Sequence, residues 1–483
     1  MSLSTALSIA QSALMNTARQ TSVVSRNVAD ASNPDYTRRI AVVTSTAPGA
    51  RSVDIQRVAN DLLFRQNLSA LSAYSGQNAL YSGLDQLDVS VNGVDNASSP
   101  STAIGNLQQA LQLYATSPSN QNLGSSVIDA AKQVVRSLNE GSRAIQDFRT
   151  QTDGQIATAV DDLNSLLSQF QDANKAVISG TRSGTDVSDA LDQRDALLKK
   201  ISDYVPVSTF TRGDNDMVIT TGDGTTLFET IPRTVSFAPS SGYSAGTVGN
   251  ALYIDNVPIS AGTGGNTSAS GELAGLLQLR DGVASTMQSQ LDETARGLIT
   301  AFAETAPSMP NAAGLFTWSG APAVPAAGTL VNGLAGTISV NAAMDPSVGG
   351  NPALLRDGGA NGAAYVVNTG GASYSSLLVA YGDRLDQPMT FDPAAGISAT
   401  SSVADYAANS IGWLQSVRQQ ASTAADAKQA LASRSAEALS NATGVNVDQE
   451  MSLLLDLEHT YQASARMMKT VDDMLAALLS AVG

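Results

Sequence analysis

Both ends of the chain carry a thin apolar stripe at coiled-coil spacing on a polar, nearly glycine-free background. Near the start, Leu3, Leu7, Ala10, Leu14, Thr17, Thr21, Val24 and Val28 follow alternating steps of three and four, which lays them along one seam of a helix. Toward the other end Val447, Leu454, Tyr461, Met468, Leu475 and Val482 recur every seven residues, with Leu457, Val471 and Leu478 three positions further on. Stripes this narrow, one of them built partly from Ala and Thr, bury too little apolar surface to order a lone helix in water. The two ends are therefore expected to meet in a coiled-coil layer and to become fully helical when neighbouring subunits cover them. The other reading of the same spacing is an ordinary intramolecular core.

Charge permits the meeting. Residues 1 to 60 hold six Arg and three acids, whereas residues 421 to 483 hold four basic residues and eight acids. The middle carries most of the net charge of −16 and no basic stripe, which argues against nucleic acid and against anionic membranes. No apolar run approaches a membrane span, and the first twenty residues lack the basic and continuous apolar regions of a secretory signal. With no cysteine there are no disulfides and no thiolate chemistry.

At 483 residues several domains are expected. The longest helical signal is internal. One heptad row runs Ile128, Val135, Ser142, Arg149, Ile156, Leu163, Phe170 and Val177, and a second runs Ala131, Leu138, Ile145, Thr152, Ala159, Leu166 and Ala173. The weak point is its middle, where Ser142, Arg149 and Thr152 fall on the seam and Gly141 and Gly154 loosen the backbone, so two helices joined near Gly154 are the alternative. Between residues 211 and 400 lie 27 of the 40 glycines and 11 of the 16 prolines, with short β-type runs at Met217 to Thr220, Thr234 to Phe237 and Ala251 to Ile254 beside the turn signals Gly222-Asp223-Gly224 and Asp255-Asn256. The expected fold is α+β and multidomain, a long helical coiled-coil frame from both termini with inserted β-rich modules. Its parts are a terminal helix over 1–36, an elongated helical domain over 37–205, a β-rich module over 206–270, a helix over 271–306 returning to the helical domain, an irregular or β-rich segment over 307–400, further helix over 401–440 and a C-terminal helix over 441–483.

Several segments resemble a known family. Ser25-Arg26-Asn27-Val28-Ala29-Asp30-Ala31-Ser32-Asn33-Pro34-Asp35-Tyr36-Thr37-Arg38-Arg39 is similar to the N-terminal signature of flagellar rod, hook and hook-associated axial proteins, roughly S-x-N-[IV]-A-N-x-x-T-P-G-Y-[ST]-R-Q. Asp30, Asn33, Asp35 and Arg39 depart from it, and Asp35 in place of Gly is expected to alter the turn wherever positive φ is needed. Asp189 to Ser202 (DALDQRDALLKKIS), Gly271 to Gly282 (GELAGLLQLRDG), Gly444 to Glu450 (GVNVDQE) and Tyr461 to Arg466 (YQASAR) resemble elements of the hook-associated group in the right order. That resemblance implies export through the flagellar type III apparatus with a chaperone, and secretion to the extracellular flagellum. It also implies a ring or helical oligomer of the chain itself at the hook-filament junction, contacting the hook protein and the next hook-associated junction protein. The implied assembly residues are Leu3, Leu7, Leu14, Val24 and Val28, the turn residues Asn33, Pro34 and Tyr36, and Leu454, Tyr461, Met468 and Leu475. A hook- or filament-type axial protein is the neighbouring alternative, and a secreted adhesin or enzyme on a coiled-coil stalk the alternative from another class.

Catalytic and metal chemistry find little to use. His459 is the single histidine, so multi-histidine sites and H-E-x-x-H cannot be built, and with no cysteine a zinc site would rest on carboxylates almost alone. Beside a seam tyrosine, His459 reads as a helix-surface or interface residue. Gly222-Asp223-Gly224 and Gly262-Thr263-Gly264-Gly265 lack the Lys-Ser/Thr ending of a phosphate loop and read as turns, and Asp214-Asn215-Asp216 lacks the later glutamate of a calcium loop. The chain is expected to be no enzyme and to need no cofactor or metal.

Overall fold

The N-terminal stripe forms helix α1 (Leu3–Ala29), which ends in a polar turn before an antiparallel hairpin of β1 (Arg39–Thr46) and β2 (Ala50–Arg57). The computed structural model describes residues 3–46, 50–259 and 269–482. The hairpin stands at the start of the 37–205 stretch read as an elongated helical domain, and its composition explains it: Ile40, Val42, Val43 and Thr44 face a strand with Val53 and Ile55, and β-branched side chains favour the pleated conformation. Its register sets Arg39 directly opposite Arg57.

Four helices follow: α2 (Asp61–Asn92), α3 (Pro100–Thr116), α4 (Gln121–Ser183) and α5 (Ser188–Tyr204). The Asn60 side chain accepts from Leu63 N at the start of α2, and Ser99 accepts from Thr102 N ahead of Pro100 in α3, so each start satisfies an otherwise orphaned N–H. Helix α4 runs unbroken for 63 residues through the expected weak point. The polar seam residues hold it there by finding partners. Ser142 Oγ and Gln146 Nε2 both donate to Gln288 Oε1, and Arg149 donates to the carbonyls of Arg280 and Thr247. Thr152 donates back to Phe148 O, and Gly141 leaves room for Leu291 and Val91.

The β elements are small. Strands β3 (Val207–Thr211), β4 (Met217–Thr221), β5 (Thr226–Glu229) and β6 (Ile231–Pro232) form one antiparallel sheet in that order. A second holds β7 (Val235–Ser236), β8 (Tyr253–Ile254) and β9 (Val257–Pro258), with β8 and β9 joined through Asp255 and Asn256, both at positive φ as a two-residue hairpin turn requires. The Gly262 to Gly265 turn lies outside the described residues. Helix α6 (Glu272–Leu277) then passes through one π turn over Gln278–Val283 into α7 (Ala284–Ala301).

The segment after residue 307 is mostly irregular. It contains two hairpins of two-residue strands, β10 (Phe316–Thr317) with β11 (Ser339–Val340) and β12 (Met389–Thr390) with β13 (Thr400–Ser401), and the short helices α8 (Leu334–Thr337), α9 (Leu354–Asp357) and α10 (Ser376–Asp386). Helices α11 (Val403–Thr443) and α12 (Val447–Val482) complete the chain, with Asn446 Oδ1 accepting from Gln449 N at the start of α12.

The chain divides into two compact units, one made of Met1–Tyr74, Asp162–Val235 and Ala427–Gly483, the other of Ser75–Asp161 and Ser236–Asp426. In the first, α1 packs along α12, and the β3–β6 sheet closes on the end of α4, where Phe170 meets Phe228 edge-on at 5.0 Å. In the second, α7 is the centre. It is buried on nearly every side, and Phe302, just beyond it, contacts Phe316 and Tyr381. No helix among the described residues is long and apolar enough to cross a membrane.

Candidate assembly interface

The two terminal stripes meet along their lengths. From α1 the seam buries Ala10, Thr17 and Val24, with Leu7, Leu14 and Val28 half-buried. Leu3 lies in the helix, and its side chain is outside the description. From α12 the fully buried row is Leu457, Ser464 and Val471, while Leu454, Met468 and Leu475 are half-buried and Tyr461 is 49% exposed. The best-covered row of α12 is thus the one three residues beyond the row read as the main stripe. Heptad spacing finds a seam but does not say which of its two rows sits deeper.

At the inner end of the seam a cluster of polar side chains joins segments far apart in sequence. Asn27, fully buried, uses its whole hydrogen-bonding capacity: Nδ2 donates to Arg39 O (2.8 Å) and Glu450 Oε2 (3.0 Å), and Oδ1 accepts from Tyr36 Oη (2.8 Å) and Arg39 N (3.1 Å). Arg38 donates through Nε to the other Glu450 oxygen at 2.7 Å and through its backbone N–H to Thr443 O. Burial pushes the Tyr36 hydroxyl up to about 12, with Asp30 and Asp192 adding to the rise and Arg39 and Arg26 opposing it. It therefore stays protonated and keeps donating.

Helix α5 closes the cluster from the other side. Arg39 Nη2 donates to Asp189 (2.6 Å) and Asp192 (3.1 Å), and its guanidinium lies 4.8 Å over the Tyr36 ring. Burial alone would lower the Arg39 pKa, but the bonds to Asp189 and Asp192 outweigh it, so the residue holds its charge more tightly than usual. Arg57, brought opposite by the hairpin register, donates to Asp192 (2.7 Å), Asp195 (2.6 Å) and Thr37 Oγ1 (2.9 Å). Burial raises Asp195, and the adjoining Arg57 charge and bond counter it. Lys199 reaches Asp35 at 2.8 Å. Asp35 is not at positive φ, and its N–H is taken by Asn33 Oδ1, so the turn accommodates Asp without strain. Asn33 and Pro34 are exposed on that turn and Tyr36 is buried beneath it. A cleft of about 1390 Å³ runs beside it, lined among others by Asp30, Arg57, Arg194, Phe210 and Glu437.

Sequence reasoning singled out the seam and the turn and missed the residues that tie them: Asn27, Arg38, Arg39, Arg57, Asp189, Asp192 and Glu450. All but Arg57 lie in segments that already carried the family resemblance. The signal was three motif strings with complementary charge, and the missing step was that they converge. Elsewhere the Asp214 to Asp216 carboxylates are taken by arginines, Arg182 on Asp214 and Arg212 on Asp216. No group of three or more potential metal ligands occurs among the described residues.

Paired terminal helices tied at one end by a charged clasp form a frame that holds the two chain ends together, a structural arrangement. Residues 84–307 match the family profile of the flagellar hook-associated protein FlgK helical domain, and residues 438–481 that of the flagellar basal body rod FlgEFG protein C-terminal region. Flagellar hook-associated protein 1 of Bacillus subtilis is 23% identical, over 99% of this chain and 97% of its own length. The protein of that name from Escherichia coli is 24% identical over 62% of this chain and 54% of its own. The solved structure of the flagellar hook junction protein FlgK from Burkholderia pseudomallei aligns over 53% of this chain and 47% of that one, at 19% identity and a TM-score of 0.42. The chain is thus similar to flagellar hook-associated protein 1 over nearly its whole length and matches that family's helical domain over residues 84–307.

Proposed function

We propose that the chain is a structural, non-enzymatic adapter that joins hook to filament outside the cell, as a ring or short helical layer of identical copies. The observation that carries this reading is the second apolar face of α12. With the seam against α1 closed, Leu453, Met467 and Met474 stay exposed along one row beside it. Sustained exposure of large apolar side chains along a helix marks an interaction surface. Its occupant is α1 of a neighbouring copy. Helix α1 carries Arg19 and Arg26 and no acid, whereas α12 carries Asp448, Asp456, Glu458, Asp472 and Asp473 against Arg466 and Lys469, so the two are complementary in sign. Contact between unlike surfaces of successive copies propagates, closing into a ring or opening into a helix.

Within this reading the seam residues Leu7, Leu14, Val24, Val28, Leu454, Met468 and Leu475 hold the two ends together, Leu3 extends the same row, and Tyr461 faces a neighbour. Asn33, Pro34 and Tyr36 shape the turn that orients them. The hook protein and the next junction protein are the partners on either side, and the export apparatus with a chaperone delivers the chain. The test is Leu453→Asp with Met474→Asp in the full chain. The variant is expected to keep its helix content and to fail to add to isolated hooks. Normal addition by the double variant would sink the proposal.

A further inference from the structure

Resting on that reading of the α12 face, we infer that Met467 and Met474 are oxidation sites whose state gates subunit addition. Both are exposed, at 59% and 54%, and they lie seven residues apart on one row of α12 with Leu453. The chain has no cysteine, so thioethers are its readily oxidised sulfur groups. Of the other methionines, Met217, Met287 and Met344 are buried, whereas Met15 on α1 (69%), Met451 at the start of α12 (43%) and Met309 in a loop of the other unit are exposed. Four of the five methionines exposed among the described residues therefore lie on the paired terminal helices, and two of them, Met467 and Met474, on the row of α12 that the proposed assembly buries.

Hydrogen peroxide supplies the chemistry. A sulfur lone pair attacks one peroxide oxygen, the S–O bond forms as the O–O bond breaks, and hydroxide leaves and takes the proton from the transferred oxygen as water. The thioether is oxidised by two electrons to sulfoxide and the peroxide is reduced to water. The product is a polar S=O dipole on an apolar row, and burying it against a neighbour leaves an acceptor with no donor supplied by the row. In the assembled layer the same sulfurs are covered and protected, so the gate acts on free subunits. A methionine sulfoxide reductase with a dithiol reductant reverses it.

The full chain is treated with hydrogen peroxide, sulfoxide is mapped residue by residue by mass spectrometry, and addition to isolated hooks is counted by electron microscopy. Met467 and Met474 are expected to oxidise about tenfold or more ahead of Met217, Met287 and Met344. Addition is expected to fall on the order of a hundredfold, the change that two lost methionine burials correspond to. Treatment with the reductase restores it. A variant with Met467→Leu and Met474→Leu keeps the apolar row and is expected to add normally before and after peroxide, although Met15, Met309 and Met451 are oxidised in it. Undiminished addition by the oxidised natural chain, or equal loss in the leucine variant, overturns the inference. The Leu453→Asp, Met474→Asp chain separates the two failures: if it adds normally the assembly reading is wrong, and if it does not while the oxidised natural chain does, only the gate is.

Discussion

Helices α7 and α12 invert each other. In sequence α7 is the more polar, yet Gln290, Asp292, Glu293, Thr294 and Arg296 are buried in it, while α12 exposes Leu453, Leu455, Met467, Met474 and Leu478. The resolution lies in partners. Every polar group named on α7 is answered from within its unit: Gln290 donates to Ala395 O, Arg296 chelates Glu293 and donates to Thr390 O, and Glu293 also accepts from Asp392 N. The apolar groups of α12 are answered by α1 on one side alone. A helix finished inside its own unit tolerates buried charge, whereas α12, which the proposed assembly finishes with another molecule, shows apolar surface.

The largest effect that can break this contrast is expected in the same unit as α7. Arg280 and Asp153 are both fully buried and meet at 2.5 Å, with Tyr243 Oη and Ser240 N also on the Asp153 carboxylate. Arg280→Ala strands that carboxylate and should cost about 3–5 kcal/mol of stability in denaturant unfolding. A loss near zero would mean that the buried charges of this unit are not completed internally.

Next in size is a pH effect at Asp292. Burial raises this carboxyl to about 6, against the opposing bonds from Ala335 N, Gly333 N and Gln288. A folded pKa above the unfolded value contributes stability that is present below about 3.8 and lost as pH rises through about 6, so this one group should take away up to about 3 kcal/mol across that window and nothing further above it. Carboxyl carbon NMR should show a midpoint near 6, and Asp292→Asn should remove the corresponding slope from the stability profile. A midpoint near 4 would refute the assignment.

The smallest effects sharpen the other half of the comparison. Leu457→Ala in the buried row should cost the isolated chain about 2 kcal/mol. Leu455→Ala, on exposed surface two residues earlier, should stay within about 0.5 kcal/mol. Equal losses in thermal unfolding would show that α12 has no free face.

Much of the helical frame was legible. Periodicity located α4 and the paired ends because heptads repeat many times and each repeat adds to the signal. The β1–β2 hairpin was not, because Arg39–Thr46 is one short β-branched run between two long helical regions and was absorbed into them. The burial of α7 was hidden for a different reason. An amphipathic reading assigns one face to the core, and the polar face of α7 is covered by strands and turns about a hundred residues away. The clasp at Asn27 was hidden by distance as well. Its partners stand 9, 12 and 423 residues from it, and only the fold brings Glu450 to it. Sequence supplied the words of that site without their order in space.

Asn27 also makes the joined ends a check on completeness. Its four bonds are filled only when Tyr36 and Arg39 have folded back over it and Glu450, close to the other end of the chain, has arrived. A polypeptide cut short before Gly444 leaves one amide hydrogen of Asn27 unanswered, Arg38 without its carboxylate, and α1 without the helix that covers its stripe. Such a fragment cannot present the outer face of α12, because it has no α12. Subunits that lost their ends to proteolysis or premature termination would thus be excluded from a growing layer by the chain's own fold, with no separate inspector.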